Sequence, residues 1–181
     1  MNARRAFEIV MLSLDHLQLV AVSIAIAAAV ALPAAVLLSR QAGLRRWVVG
    51  FANLAQTIPS LALYALLPML RNTLVGILGV DPTVRELAVA MGMTSRQILW
   101  QVELPLAAPS ILAGLRIATV ATIGGATIAA AIGGGGLGVF IFRGIAMLDM
   151  PTVLAGAIPA AIMALAADEG LEWIEHRLSP R

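Results

Sequence analysis

The chain has 181 residues and a mass of 18.8 kDa, the size of one domain or of one subunit in a larger assembly. It is 60% hydrophobic and only 12% charged, with a mean hydropathy of +0.94. Soluble domains carry about 25% charged residues, so this chain cannot cover a soluble surface of ordinary polarity. That argues strongly against a soluble enzyme and places the chain in a bilayer. All 12 basic residues are Arg. Without Lys the chain holds neither a phosphate-binding P-loop nor a Lys Schiff base. Without Cys it has no disulfide, thiolate nucleophile or Cys-ligated metal. The net charge of +2 comes from scattered Arg with few aromatics, a pattern that does not suit nucleic acid.

Residues 1–16 are mixed, with Arg4, Arg5, Glu8 and Asp15 breaking any apolar run. Leu17 to Leu38 follows, 22 residues without a charge. This is too long for the apolar core of a cleaved signal peptide and long enough for a retained span, which needs about 20 residues. Pro33 lies inside it, which bilayer helices tolerate. The loop Ser39 to Arg46 holds Arg40, Arg45 and Arg46 and no acid, so it is expected in the cytoplasm. Trp47, Trp100 and Trp173 suit the interfacial belt.

A second uncharged run, Trp47 to Leu70, carries Asn53, Gln56, Thr57, Pro59 and Ser60 in its middle. Gln56, Thr57, Pro59 and Ser60 read equally as a kinked stretch lining a translocation path and as groups that satisfy the backbone around Pro59. The segment from Asp81 to Pro105 is polar. Asp81-Pro82 predicts a helix start, with a capping Asp and Pro at the first helical position. Glu86 falls in the early turns, where the helix dipole favours an acid. Gly92 is a natural stop, and Thr94 with Gln97 matches a capping box for a second short helix. That second helix is expected to end at Leu104-Pro105 and Pro109. Arg85 and Arg96 place this segment in the cytoplasm as well.

The next run, Ile111 to Ile132, is rich in Ala, Gly and Thr, which suits close helix packing in lipid. Its Arg116 is expected to snorkel to the interface. Gly133, Gly134, Gly135, Gly136 and Gly138 form a flexible loop or re-entrant turn. Without a following Lys, Ser or Thr the loop is a poor phosphate cradle. Thr152 to Ala167 is the last apolar run, with Pro159 inside. Asp168, Glu169, Glu172 and Glu175 then read as a solvated helix end. His16 and His176 are expected to face solvent, and no metal or other cofactor site is predicted. The expected spans lie near 17–38, 47–70, 111–132 and 152–167 of a single transmembrane domain, 1–181.

Two Arg-bearing loops, 40–46 and 81–105, both want the cytoplasm, so an even number of crossings must separate them. The interval from Trp47 to Val80 holds 34 residues, while two crossings need about 40 plus a turn. Three solutions remain open. Two short helices cross and meet near Gln56–Ser60, or one helix crosses and a loop breaks the rule, or the chain lacks a segment.

The polar segment reads Glu86-Leu87-Ala88, three residues, Gly92, nine residues, then Val102-Glu103-Leu104-Pro105. This resembles the EAA loop of bacterial ABC-importer permeases: Glu-Ala-Ala, three residues, Gly, nine residues, Ile-x-Leu-Pro. Leu87 and Val102 are mild departures. Asn53 to Leu61, Leu67 to Thr73, Gly79 to Pro82, Gly133 to Gly138, Phe140 to Gly144 and Leu154 to Ala160 resemble one branch of that family. Its members are permeases for osmoprotectants such as glycine betaine, carnitine, choline or proline. Such permeases usually carry an extra apolar stretch between the parts matched by Ile58–Leu61 and Leu67–Thr73, so the resemblance favours a chain about one span short.

The resemblance implies an all-α, multi-pass transmembrane helix bundle of the type I importer kind in the cytoplasmic (inner) membrane. It implies a subunit that is not an enzyme, served by separate ABC ATPase subunits and an extracytoplasmic solute-binding protein. A second permease copy or paralogue would complete the pathway. Glu86, Ala88, Gly92, Val102, Leu104 and Pro105 would belong to the loop that docks on the ATPase and couples its cycle to transport. A permease for methionine or another small solute, and a non-transporting scaffold that keeps the ATPase dock, are the alternatives.

Overall fold

The computed structural model describes residues 3–55 and 61–178, and among these every regular element is helical. Eight α-helices follow in order: α1 Ala3–Ser39, α2 Ala42–Ala55, α3 Leu61–Leu78, α4 Pro82–Ala90, α5 Ser95–Ile98, α6 Leu104–Ala129, α7 Gly138–Ala146 and α8 Met150–Leu178. A π-helical turn, Leu99–Glu103, joins α5 to α6, and a 3₁₀ turn, Ala130–Ile132, ends α6. Four stretches are long and apolar enough to cross a membrane: Arg4–Ser39, Leu61–Leu78, Ser95–Ile132 and Met150–Arg177.

Helix α6 is the hub. It packs antiparallel against α1, α3 and α8. The α3–α6 seam is made of small residues because two backbones meet there. A Cβ on Gly76 would fall 2.9 Å from Ser110 Cβ and 3.0 Å from Ala107 O, and one on Gly114 would fall 2.7 Å from Asn72 Cβ. In lipid, where apolar burial gives no drive to associate, such close approach is what holds helices together. Ala27, Ala31, Ala35 and Leu38 of α1 bury against Ala65, Leu67, Met69, Leu70 and Leu74 of α3, with Ala118 of α6 closing the cluster. Met163, Ala164 and Ala167 of α8 pack on Ile123 and Ala126 of α6 and Val20 of α1.

The structure redraws several expected boundaries. Helix α1 begins at Ala3, well before Leu17, because Arg4, Arg5 and Glu8 are good helix formers that do not interrupt a helix outside the hydrocarbon. The run 47–70 is not one helix: it divides between α2 and α3, and Gln56–Ser60 lies outside the described residues. Pro105 and Pro109 do not end a helix. Pro105 stands in the first turn of α6 and Pro109 inside it; each leaves one carbonyl without an N–H, which membrane helices tolerate, and the helix runs on through both from the π-turn before them.

Helix α2 has 14 residues, about 21 Å of axis, and α3 has 18, about 27 Å. They lie side by side: Arg45, Arg46, Val49, Gly50 and Asn53 line a groove with Arg71, Leu74, Val75 and Leu78. Arg71 donates to Asn53 Oδ1 at 2.8 Å across it. Helix α2 thus starts at the end of the bundle where α3 finishes. The 40–46 loop and the 81–105 segment share that end, so the chain leaves it and returns between them.

Candidate functional site

Two places in the fold gather the residues that the motifs single out, and they lie at opposite ends of the bundle. The first is residues 81–105. Asp81 caps α4 by accepting from Thr83 N–H at 2.8 Å, and that bond holds its carboxyl below the usual range. Pro82 sits at the first helical position. Helix α4 ends where Gly92 takes φ +79°, a left-handed conformation that side-chain-bearing residues avoid. Thr94 and Gln97 form the expected capping box: Thr94 N–H donates to Gln97 Oε1 at 2.8 Å, and Gln97 N–H to Thr94 Oγ1 at 3.4 Å. Four local devices therefore hold a short helix pair in shape with little help from packing.

Of the motif residues, Ala88 is buried, Val102 and Leu104 are half-buried, and Glu86, Gly92 and Pro105 are exposed. Among the described residues no ion pair holds Glu86. Val84, Leu87 and Met91 are 37%, 60% and 74% exposed at a spacing of three and four, so they form an apolar stripe along α4 and its C-cap that none of the described residues covers.

Beneath that stripe lies Glu103, the unspecified position in Val102-Glu103-Leu104-Pro105. Its side chain is fully buried. Arg40 Nη2, just past the end of α1, approaches its Oε2 at 2.5 Å, and Arg85 Nε, from α4, faces its Oε1 at 2.9 Å. Arg85 also donates through Nη2 to Ile77 O in the last turn of α3. Glu103 and its two Arg are not among the residues the motif picks out. The available signal was charge bookkeeping: a loop with three Arg and no acid, and a lone acid where an apolar run begins.

The second place is the Gly-rich turn before α7. Gly133, Gly135 and Gly136 have φ of +87°, +77° and +69°. Gly134 and Gly138 pass close to the backbone: a Cβ on Gly134 would fall 2.8 Å from Ala129 O, and one on Gly138 2.1 Å from Thr127 O. The turn closes on His16, which is fully buried, in contrast to the expectation of a solvent-facing ring. Leu137 N–H donates to His16 Nδ1 at 3.3 Å, and His16 Nε2 meets Ile123 O at 3.1 Å. Packing of α6 and the Gly turn over α1, which residue-by-residue polarity does not register, decides that burial.

His176 is exposed and lies 3.6 Å from Glu172. The acidic stretch of α8 is not merely solvated, because it wraps Arg116. Arg116 Nε and Nη2 donate to both oxygens of Asp168, and Nη2 lies 2.8 Å from Glu172 Oε2. At the opposite end Arg143 pairs with Glu8 at 3.0 Å and Arg5 with Asp149 at 3.5 Å. Among the described residues that end holds Arg4, Arg5 and Arg143, whereas the end bearing residues 81–105 holds Arg40, Arg45, Arg46, Arg85 and Arg96. The Arg excess marks the 81–105 end as cytoplasmic.

Comparison with known proteins agrees with this architecture. Over 187 positions the chain is 42% identical to the carnitine transport permease protein OpuCD of Listeria monocytogenes, covering 91% of this chain and 84% of that protein. It is 41% identical over 187 positions to the choline transport system permease protein OpuBD of Bacillus subtilis, covering 91% and 83%. The osmoprotectant import permease protein OsmY of Salmonella typhimurium is 38% identical over 199 positions, covering 97% and 84%. A chain in a solved structure of the MetNI methionine ABC transporter, inward-facing, superposes with a TM-score of 0.87 at 20% identity. That superposition covers 99% of this chain and 100% of the other, and establishes the shared fold. Residues 6–180 match the family described as the binding-protein-dependent transport system inner membrane component. The chain belongs to that family: it is the inner-membrane permease component of an ABC transport system, a transport subunit rather than an enzyme, working with an ATPase and a solute-binding protein.

Proposed function

We propose that this permease moves a compatible solute of the carnitine, choline, glycine betaine or proline class, and that residues 81–105 dock the ATPase and pass its motion to the membrane helices. The observation that carries the docking role is the uncovered stripe Val84, Leu87 and Met91 on a helix held outside the bundle by its own caps. An apolar helix face exposed to the cytoplasm needs a partner groove. The solute class is supported by the roles of relatives about 40% identical over most of the chain. Two copies or a paralogous pair would form the pathway between them and alternate its access as the ATPases close and open.

In reconstituted vesicles holding the full complex, labelled carnitine, choline and glycine betaine should compete for uptake and methionine should not. Uptake of methionine alone would overturn the solute class. Leu87→Arg, Glu86→Ala and Gly92→Val should each lower ATPase co-purification or uptake by about tenfold. If all three leave assembly and uptake intact, the docking role fails.

The scaffold reading has one observation in its favour. The match to OpuCD spans 187 positions but takes in 91% of this chain, about 165 residues, so about 22 positions of the relative have no counterpart here. That is one membrane span. The short α2 makes the 47–80 interval the natural place for the loss. Co-purification of ATPase whose turnover is not stimulated by loaded binding protein would favour a scaffold. Stimulated turnover with uptake would exclude one.

A further inference from the structure

Helix α4 is poorly anchored by packing. Its one buried side chain is Ala88, and it joins α3 through the three residues Gly79–Asp81. A docking helix so loosely seated would swing on its linkers and transmit little. The side chain that reaches from α4 into the bundle is Arg85. It meets Glu103 Oε1 at 2.9 Å and donates to Ile77 O.

Glu103 differs from every other acid in an ion pair among the described residues. The carboxylates that hold Arg5, Arg116 and Arg143 belong to side chains 26–44% exposed, whereas that of Glu103 is 0% exposed. A surface pair can part at small cost, but a buried carboxylate that loses a partner is left without the compensation that allowed its burial. Its surroundings alternate in sign. The C-terminal ends of α1 and α3 carry negative dipole ends, Arg40 and Arg85 sit against them, and Glu103 lies between the two Arg. The π-turn Leu99–Glu103 adds the residue that turns this carboxylate inward.

We propose that Glu103 is a positioning residue for transport. Through Arg85 and Arg40 it keys α4 to the ends of α1, α3 and α6, so that displacement of α4 moves the three membrane helices as one body. This rests on the docking role proposed for residues 81–105, and the two fail differently.

The test uses the full complex with its binding protein in vesicles, reading labelled carnitine uptake per ATP hydrolysed. Glu103→Gln keeps the shape of the side chain and removes its charge. Arg40→Gln removes the Nη2–H hydrogen bond to Glu103 Oε2 and keeps Arg85 as the ion-pair partner at 2.9 Å. Both should assemble with the ATPase and hydrolyse ATP within about twofold of the parent. Uptake per ATP should fall about tenfold, within the usual range of coupling between sites. The pair Arg40→Gln/Glu103→Gln should be no worse than Glu103→Gln alone, and Arg85→Lys, which keeps the charge but loses the fork that reaches both partners, should be intermediate.

Uptake per ATP within about twofold of the parent in Glu103→Gln or Arg40→Gln would overturn the proposal. So would loss of assembly in both variants, which would make the cluster a folding element. If instead the Leu87→Arg complex still binds ATPase and transports, the docking role itself is wrong.

Discussion

At each end of the bundle one ionisable side chain is completely buried, and the two are held by different means. Glu103, at the cytoplasmic end, is held by charge: two guanidiniums from α4 and the end of α1. His16, at the other end, is held by main chain: it accepts from Leu137 N–H, which leaves its proton on Nε2 facing Ile123 O. The first arrangement joins side chains from separate elements around a fully buried carboxylate, so it ties those elements to one another. The second sits on backbone atoms whose positions are set by a helix and a tight turn, with no slack. On the proposal that residues 81–105 dock the ATPase, the cytoplasmic contact would pass on the displacement of α4, whereas the outer one fixes α1 against the Gly turn.

Substitutions can break that contrast in order of size. The largest loss should come from Gly138→Ala, because its Cβ would fall 2.1 Å from the Thr127 carbonyl oxygen and α7 must leave its seat. Backbone collision is the costly kind of overpacking, on the order of 3 kcal/mol or more, and thermal unfolding in detergent measures it. Glu103→Leu should follow at about 3 kcal/mol, since it strands Arg85 against an apolar neighbour while Arg40 regains water. His16→Leu should cost about 2 kcal/mol: volume is nearly kept, but a buried N–H and a buried carbonyl lose their partner. If His16→Leu proves more damaging than Glu103→Leu, the outer end rather than the inner one depends on its polar contact.

The smallest effect belongs to the Asp81 cap. Its carboxyl is held below the ordinary range by Thr83 N–H, so its contribution to α4 is full above the unfolded value and fades as pH falls through the lowered folded one. The protection factors of the α4 amides, corrected for intrinsic exchange at each pH, should fall slightly on acidification, and Asp81→Ala should remove that fall while leaving Glu103 and His16 undisturbed.

Much of the cytoplasmic segment could be read directly. Asp81-Pro82, Gly92 and Thr94 with Gln97 are local signals, acting within four residues, and local chemistry survives into the fold. Pro105 and Pro109 misled because a Pro before a helix and a Pro in its first turns look alike in sequence, and only the continuous α6 with its π-turn separates them. His16 misled because an isolated polar residue near a charged N-terminus looks exposed until a turn 121 residues away closes over it. Asp168 and Glu172 looked solvated because their partner, Arg116, lies on another helix.

By itself the sequence determined the solvent, the helical class, the absence of energy chemistry on this chain and the place of the capped helix pair at 81–105. Composition sets the first, since too few charges cannot face water, and short-range capping sets the last. Tertiary structure alone decided which polar groups are buried and with whom. Arg40, Arg85 and Glu103 are 45 and 18 residues apart along the chain, and no local rule links them. They meet because the small residues at the helix seams bring α1, α3 and α6 together, and a carboxylate placed where those helices end can be buried only between opposite charges.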